Sequence, residues 1–304
     1  MIYIIVVVLG MLVPVQTAAN ARLRLQVQSV WVATLISFGV STLALLAACG
    51  AGGLALLPTA AQVDAAPWWG WGGGVIALLT ITAYICLFRA LGTLQAMILP
   101  LVGQLVFSLL IDHFGLFDAA RIGLSPARAG AVALLLAGTA LAIGPRAGRR
   151  GEPAGALRTA AMQAVGVGSG FLLASMGAIY GALGRALGSA VQAALFSFAI
   201  ATAVMLLCCG LAGVAGRVRL AFAGDRPWWM WLGGVVGGVA VFGNAWLIPQ
   251  MGTGVFFMLL TIGQIVLSVC MEWCGWLGAE RRRVSWLQAA GLALMALAVA
   301  MIRL

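Results

Sequence analysis

The chain has 304 residues, 63% of them apolar and only 8% charged, with a mean hydropathy of +1.12. Soluble domains carry about 25% charged residues, so this composition excludes a soluble globular fold and points to a polytopic membrane protein. The net charge of +10 comes from arginine alone, since lysine is absent, and with no basic motif interleaved with aromatics it does not mark a nucleic-acid-binding protein.

A membrane-spanning helix needs about 20 apolar residues. Ten segments qualify: 2–21, 30–49, 68–90, 93–112, 126–144, 160–183, 189–212, 228–249, 253–272 and 286–303. None alternates as a barrel strand would. The first resembles a secretory signal where it ends on small residues, Ala19 and Ala21, but it lacks the basic start of such signals. Within it Gln16 and Asn20 share one helix face. The third opens on Pro67, Trp68, Trp69 and Trp71, amphipathic rings suited to the headgroup level. It continues through a glycine cluster that permits close helix contact to an embedded Tyr84.

The fourth segment carries the chain's most informative pattern, "VGQLVFSLLIDHFG" at 101–114. Gln104, Ser108 and Asp112 recur every fourth residue and so share a face. Turned toward lipid, that face would leave polar groups unsatisfied at about several kcal/mol each, so it must look inward. It either lines a cavity or stitches helices together by hydrogen bonds. The fifth segment is plain, and a basic Gly- and Pro-rich linker follows at 145–158.

From the sixth segment on, the sequence repeats itself. A shift of 160 residues lays Gly10 on Gly170, Ser37-Phe38 on Ser197-Phe198, Pro67-Trp68-Trp69 on Pro227-Trp228-Trp229 and Gly92-Thr93 on Gly252-Thr253. The polar stripe returns as Gln264, Ser268 and Glu272. The linings differ: Gln16, Asn20 and Tyr84 are replaced by Met176, Tyr180 and Asn244. This is a tandem duplication of a five-helix unit over 1–144 and 159–304.

An odd number of crossings delivers the second unit to the opposite side, which predicts an all-α membrane protein of ten transmembrane helices arranged as two inverted five-helix repeats. In transporters of this plan the substrate site lies near the midplane between the repeats. Inversion sets Gln104 and Gln264 at similar depth on opposite sides of the two-fold axis, with Asp112 toward the outer mouth and Glu272 toward the cytoplasmic one. Candidate substrate-binding residues are therefore Gln16, Asn20, Tyr84, Gln104, Ser108, Tyr180, Asn244, Gln264 and Ser268. Asp112 and Glu272 are candidates for ion coupling or gating, because an intramembrane carboxylate is a functional hypothesis by default. Both also lie near helix ends, where water and headgroups can solvate them. The six cysteines lack a ligand-like partner set, and His113 is the only histidine. No metal, cofactor or enzymatic nucleophile is expected.

The runs "QTAANARLRLQVQSVWVATLISFGVSTLALL", "PWWGWGGG" and "LPLVGQLVFSLLIDHFGL", with the last two repeated as "PWWMWLGG" and "LLTIGQIVLSVCMEWCGW", resemble the bacterial inner-membrane family named after YdcZ. That family stands within the drug/metabolite transporter superfamily. The resemblance implies a fused pair of oppositely oriented units that carry a small molecule across the inner membrane. A proton or sodium ion is the candidate coupling ion, and a monomer or weak dimer in the lipid bilayer is the expected assembly. A channel or a non-transporting scaffold is the alternative. Small multidrug exporters of the superfamily use a buried Glu in the first helix, and Gln16 in that region departs from them.

Arginine also predicts orientation. Arg22, Arg24, Arg89, Arg146, Arg149, Arg150, Arg158, Arg217, Arg219, Arg226, Arg281, Arg282 and Arg283 follow odd-numbered segments, against Arg121, Arg128, Arg185 and Arg303 on the other side. Positive loops stay cytoplasmic, so reporter fusions at Met1 and Leu304 should both read out as periplasmic. A cytoplasmic signal at either end would overturn this topology.

Overall fold

A computed structural model describes residues 1–143, 156–224, 227–278 and 285–302. Arg146, Arg149, Arg150, Arg226, Arg281, Arg282, Arg283 and Arg303, and most of the linker, lie outside them. The described residues are helical throughout, without a strand. The helices are α1 (Ile2–Val27), α2 (Val30–Ala51), the short α3 (Ala60–Ala65), α4 (Gly73–Phe114), α5 (Pro126–Ile143), α6 (Ala156–Leu187), α7 (Ala190–Leu211), α8 (Leu232–Met251), α9 (Thr253–Cys274) and α10 (Trp286–Ile302). Among the described residues seven helical stretches are long and apolar enough to cross a bilayer, and Pro126–Ala142 and Trp286–Ala298 are shorter apolar helices. The chain is an all-helical, multi-pass membrane protein.

Where two segments are expected at 68–90 and 93–112, the backbone is helical without interruption for 42 residues, from Gly73 to Phe114. Straight, such a helix would measure about 63 Å, twice the hydrocarbon thickness of a bilayer. It is not straight. Leu87 and Leu99 both close on Gly166 of α6, although a straight helix would hold their Cα atoms about 18 Å apart. The first arm descends α6 from Tyr180, which covers Gly73, to Gly166 beside Leu87. The second returns from Gln95, bonded to Gln163 at 3.1 Å, past the Phe107–Phe171 stack, to Asp118, whose carbonyl accepts from Arg185 at 2.7 Å. α4 is therefore a helical hairpin wrapped along α6. In the second half the break is explicit, because Gly252 adopts φ 85°, a conformation that ends α8 and starts α9. The tryptophan clusters form single 3-10 turns, Trp68–Gly72 and Trp228–Trp231, ahead of these hairpins.

The main packing joins the two sequence halves. α1 runs against α8 and α9, α6 against both arms of α4, α2 against α7 and α5 against α10. Four glycines set the closest approaches. A Cβ on Gly10 would strike the Leu260 carbonyl, and one on Gly263 the Val7 carbonyl. At the related positions, Gly170 meets the Pro100 carbonyl and Gly103 the Val167 carbonyl. α2 and α7 are antiparallel: Gln192, at the start of α7, donates to the Ala55 carbonyl beyond the end of α2. At their crossing, residues 160 apart touch, with Thr42 and Thr202 hydroxyls 3.1 Å apart and the Phe38 and Phe198 rings edge to face at 5.4 Å.

The loops gather by side. Arg217 donates to the Gln28 carbonyl at 2.7 Å, and Gln26 to the Ala223 carbonyl at 2.8 Å, tying the arginine-bearing segments after α1 and α7 together. Gln62 donates to Leu187 at 2.7 Å, joining the segments after α2 and α6.

The glycine clasps make a direct prediction. Gly103→Ala and Gly263→Ala should each cost about 1–3 kcal/mol through overpacking, read as a lowered thermal midpoint of the purified protein. Gly39→Ala and Gly168→Ala, whose Cβ atoms would meet nothing within 4 Å, should leave it unchanged or raise it.

Candidate functional site

The stripe on α4 divides its labour. Ser108 is fully buried and its hydroxyl donates back to the Leu105 carbonyl at 2.8 Å, so its hydrogen-bonding capacity is largely spent within its own helix. Gln104, 8% exposed, stands next to Gly103 at the α4–α6 clasp. On α9, Gln264 and Ser268 are half-buried, and Gln264 follows Gly263 at the α1–α9 clasp. The two glutamines thus belong to two separate helix crossings.

Asp112 is wholly buried and fully engaged. Its Oδ1 accepts from the Thr253 N–H at 2.7 Å and its Oδ2 from the Gly254 N–H at 3.0 Å. It caps α9 from another helix, supplying a negative charge to N–H groups that have no partner within their own helix. Arg128 Nη2 lies 2.7 Å from Oδ2, while Nη1 donates to the Ile122 and Gly123 carbonyls at 3.2 and 3.3 Å. The end of α4, the loop before α5 and the tip of the α8–α9 hairpin thus close on one carboxylate. Gly252, whose φ 85° makes that tip, sits directly on Oδ2 and leaves no room for a side chain.

Sequence reasoning singled out Asp112 but missed Arg128 and the backbone donors. The visible signal was the Gly252-Thr253 match to Gly92-Thr93, which marks the hairpin tip. The repeat counterpart of Arg128 is Gln288, which builds a cap with Ser285: Gln288 Oε1 accepts from Ser285 N–H at 2.9 Å and Ser285 Oγ from Gln288 N–H at 3.3 Å. Glu272, half-buried near the end of α9, is engaged as well.

The remaining candidates line two seams. Along α1 and α8, Asn20 lies on Gly233, and Gln16 meets Gly237 together with Ser41 and the tip of the Phe198 ring. Asn244 donates to the Ala240 carbonyl at 2.8 Å. Along α6 and the first arm of α4, Tyr180 packs on Gly73, Met176 Sδ accepts from Thr80 at 3.9 Å, and Tyr84 is half-buried and engaged.

The family model described as "Putative inner membrane exporter, YdcZ" matches residues 1–141 and 161–301. No curated protein matches the chain. A solved structure described as "Crystal structure of protein" is similar over 99% of this chain and 95% of that one, with a TM-score of 0.67 and 18% identity, a likeness of fold.

The Asp112 cluster sets a stability test. Asp112→Leu leaves the Arg128 guanidinium without its counter-charge, and breaking a buried pair in this way costs about 3–5 kcal/mol. Asp112→Leu combined with Arg128→Met removes the stranded charge and should melt above the single variant. Equal melting of the two would show that the pair is not coupled.

Proposed function

The chain belongs to the YdcZ family of inner-membrane exporters, and on that premise we propose that it is a secondary transporter that moves a small molecule by alternating access. Its ten transmembrane helices form two inverted five-helix repeats about a transverse two-fold axis. The observation that carries this reading is the contact of Thr42 with Thr202 and of Phe38 with Phe198, residues 160 apart on antiparallel helices. A residue that touches its own repeat counterpart lies on the axis relating the repeats, and antiparallel partners require that axis to run across the helices. The twofold match of the family model at the same 160-residue spacing supports the duplication.

Inverted repeats have two equivalent closures, one at each mouth, and alternating access exchanges them. Asp112, clamped on the α8–α9 tip by Arg128, is the closure at the outer mouth. Glu272 occupies the corresponding place at the inner mouth, with Gln288 in the position of Arg128. The two closures differ in charge, so a proton or other cation that neutralises a carboxylate biases one mouth over the other. Gln104 and Gln264, beside the two clasps, contact the solute as it passes.

Proteoliposome assays test this. A carrier gives saturable flux and counterflow, whereas a channel gives rates far above carrier turnover. Gln104→Leu and Gln264→Leu should each impair flux while folded protein is retained; loss of folded protein instead would make these amides helix stitching. Asp112→Asn and Glu272→Gln should abolish proton-driven accumulation and spare exchange, which needs no net ion movement. Unchanged accumulation with unchanged pH dependence in both would remove the acids from coupling.

A further inference from the structure

Asn20 and Asn244 each keep a buried side-chain oxygen, Oδ1, with no hydrogen-bond partner among the described residues. Both stand on the α1–α8 seam. α8 runs antiparallel to α1, with Gly233 on Asn20, Gly237 on Gln16 and Gly243 on Leu9. Asn244 follows Gly233 and Gly237 on the same helical stripe, 11 and seven residues on. The amides of Asn20, Gln16 and Asn244 therefore mark a track of about 16 Å. Gln16 stands midway, with the hydroxyl of Ser41 and the Phe198 ring beside it over Gly237. Orphaned oxygens are costly in a bilayer, where no bulk water satisfies them, and their persistence here calls for donors from outside the chain.

The related seam in the other half lacks this feature. Met176 replaces Gln16, Tyr180 replaces Asn20 and Tyr84 replaces Asn244, while Ala77 and Ala201 stand for Gly237 and Ser41. Tyr180 is 5% exposed and its ring fills the space over Gly73. The duplicated scaffold thus holds one amide track and one packed wall. The track is also free of charge: α2 and α8 contain no charged residue, and those of α1 begin at Arg22, beyond Asn20. An ion entering it would lose its hydration with no counter-charge to meet it.

We infer that, of the two related seams, the α1–α8 seam is the one that binds the solute, and that the solute is uncharged and donates N–H or O–H groups to Asn20 and Asn244 while accepting from Gln16. This deepens the transporter reading and rests on it. The test is a panel of neutral polyols (xylitol, ribitol), neutral amides (urea, nicotinamide), cations (tetramethylammonium, ethidium) and anions (benzoate, phosphate), scored by thermal stabilisation of the purified protein. A neutral member should stabilise the wild type. Asn20→Leu and Asn244→Leu should weaken its binding at least tenfold, and Met176→Leu, on the packed wall, should leave it unchanged.

Without ligand, the two Asn variants should melt no lower than wild type, because each removes an orphaned oxygen; lower melting would mean that these amides hold the fold. Stabilisation by charged members only, by no member, or equally in wild type and Asn variants would overturn the inference. The transporter reading is judged separately by flux of the stabilising solute in proteoliposomes. Binding that depends on Asn20 and Asn244 without any flux would retain the site and reject transport.

Discussion

Everything in this fold hangs on helices that meet backbone to backbone at Gly10, Gly263, Gly103 and Gly170. Lipid tails are as apolar as leucine, so no hydrophobic effect draws helices together inside a bilayer; close packing and hydrogen bonds must do it. Each clasp joins the first helix of one half to the hairpin of the other. The halves therefore interlock, each of α1–α5 and α6–α10 packing its helices against the other. The Gly252 break and the bend of α4 between Leu87 and Leu99 are what fold each hairpin back on the helix it grips.

Polar groups inside this frame fall into two kinds. Those that have partners hold structure: Asp112 on the α9 N-terminus, Ser41 on the Gly234 carbonyl at 2.5 Å, Thr42 on Thr202. Those that lack them among the described residues include Asn20 and Asn244 at Oδ1 and the hydroxyls of Thr139, Ser197 and Thr253. Duplication supplied the scaffold twice, and divergence left one seam polar and packed the other with Tyr180 and Met176. A transporter with a two-fold scaffold and a single-sided lining can cycle between equivalent closures while presenting its solute with one recognition surface.

Much of this was legible in the sequence, because apolar run length and the 160-residue repeat are properties of the chain itself. The glycine clusters read as contact surfaces, and α8 lays Gly233, Gly234, Gly237 and Gly238 against α1 and α2 accordingly. The every-fourth-residue spacing of Gln104, Ser108 and Asp112 fixed a common face but not a common role. Ser108 bonds to its own helix, and Asp112 is satisfied by backbone N–H groups 141 and 142 residues away, which no side-chain pattern announces. Arg128 was read only as one of the few arginines on the poor side of the charge count, since its partner arrives through tertiary contact. The arms of α4 were expected as separate helices, and Gly92, unlike Gly252, leaves the backbone helical while the chain turns.

The central claim is that two oppositely directed halves interlock about an axis on which counterpart residues touch. It is tested most directly by Thr42→Cys with Thr202→Cys in a chain otherwise free of cysteine, with a protease site placed in the linker at 145–158. The hydroxyls lie 3.1 Å apart, so oxidation in native membranes should join the halves, which then run as one band after proteolysis and separate on reduction. Halves that separate without reduction, while a control pair such as Thr42→Cys with Leu211→Cys cross-links instead, would contradict the account.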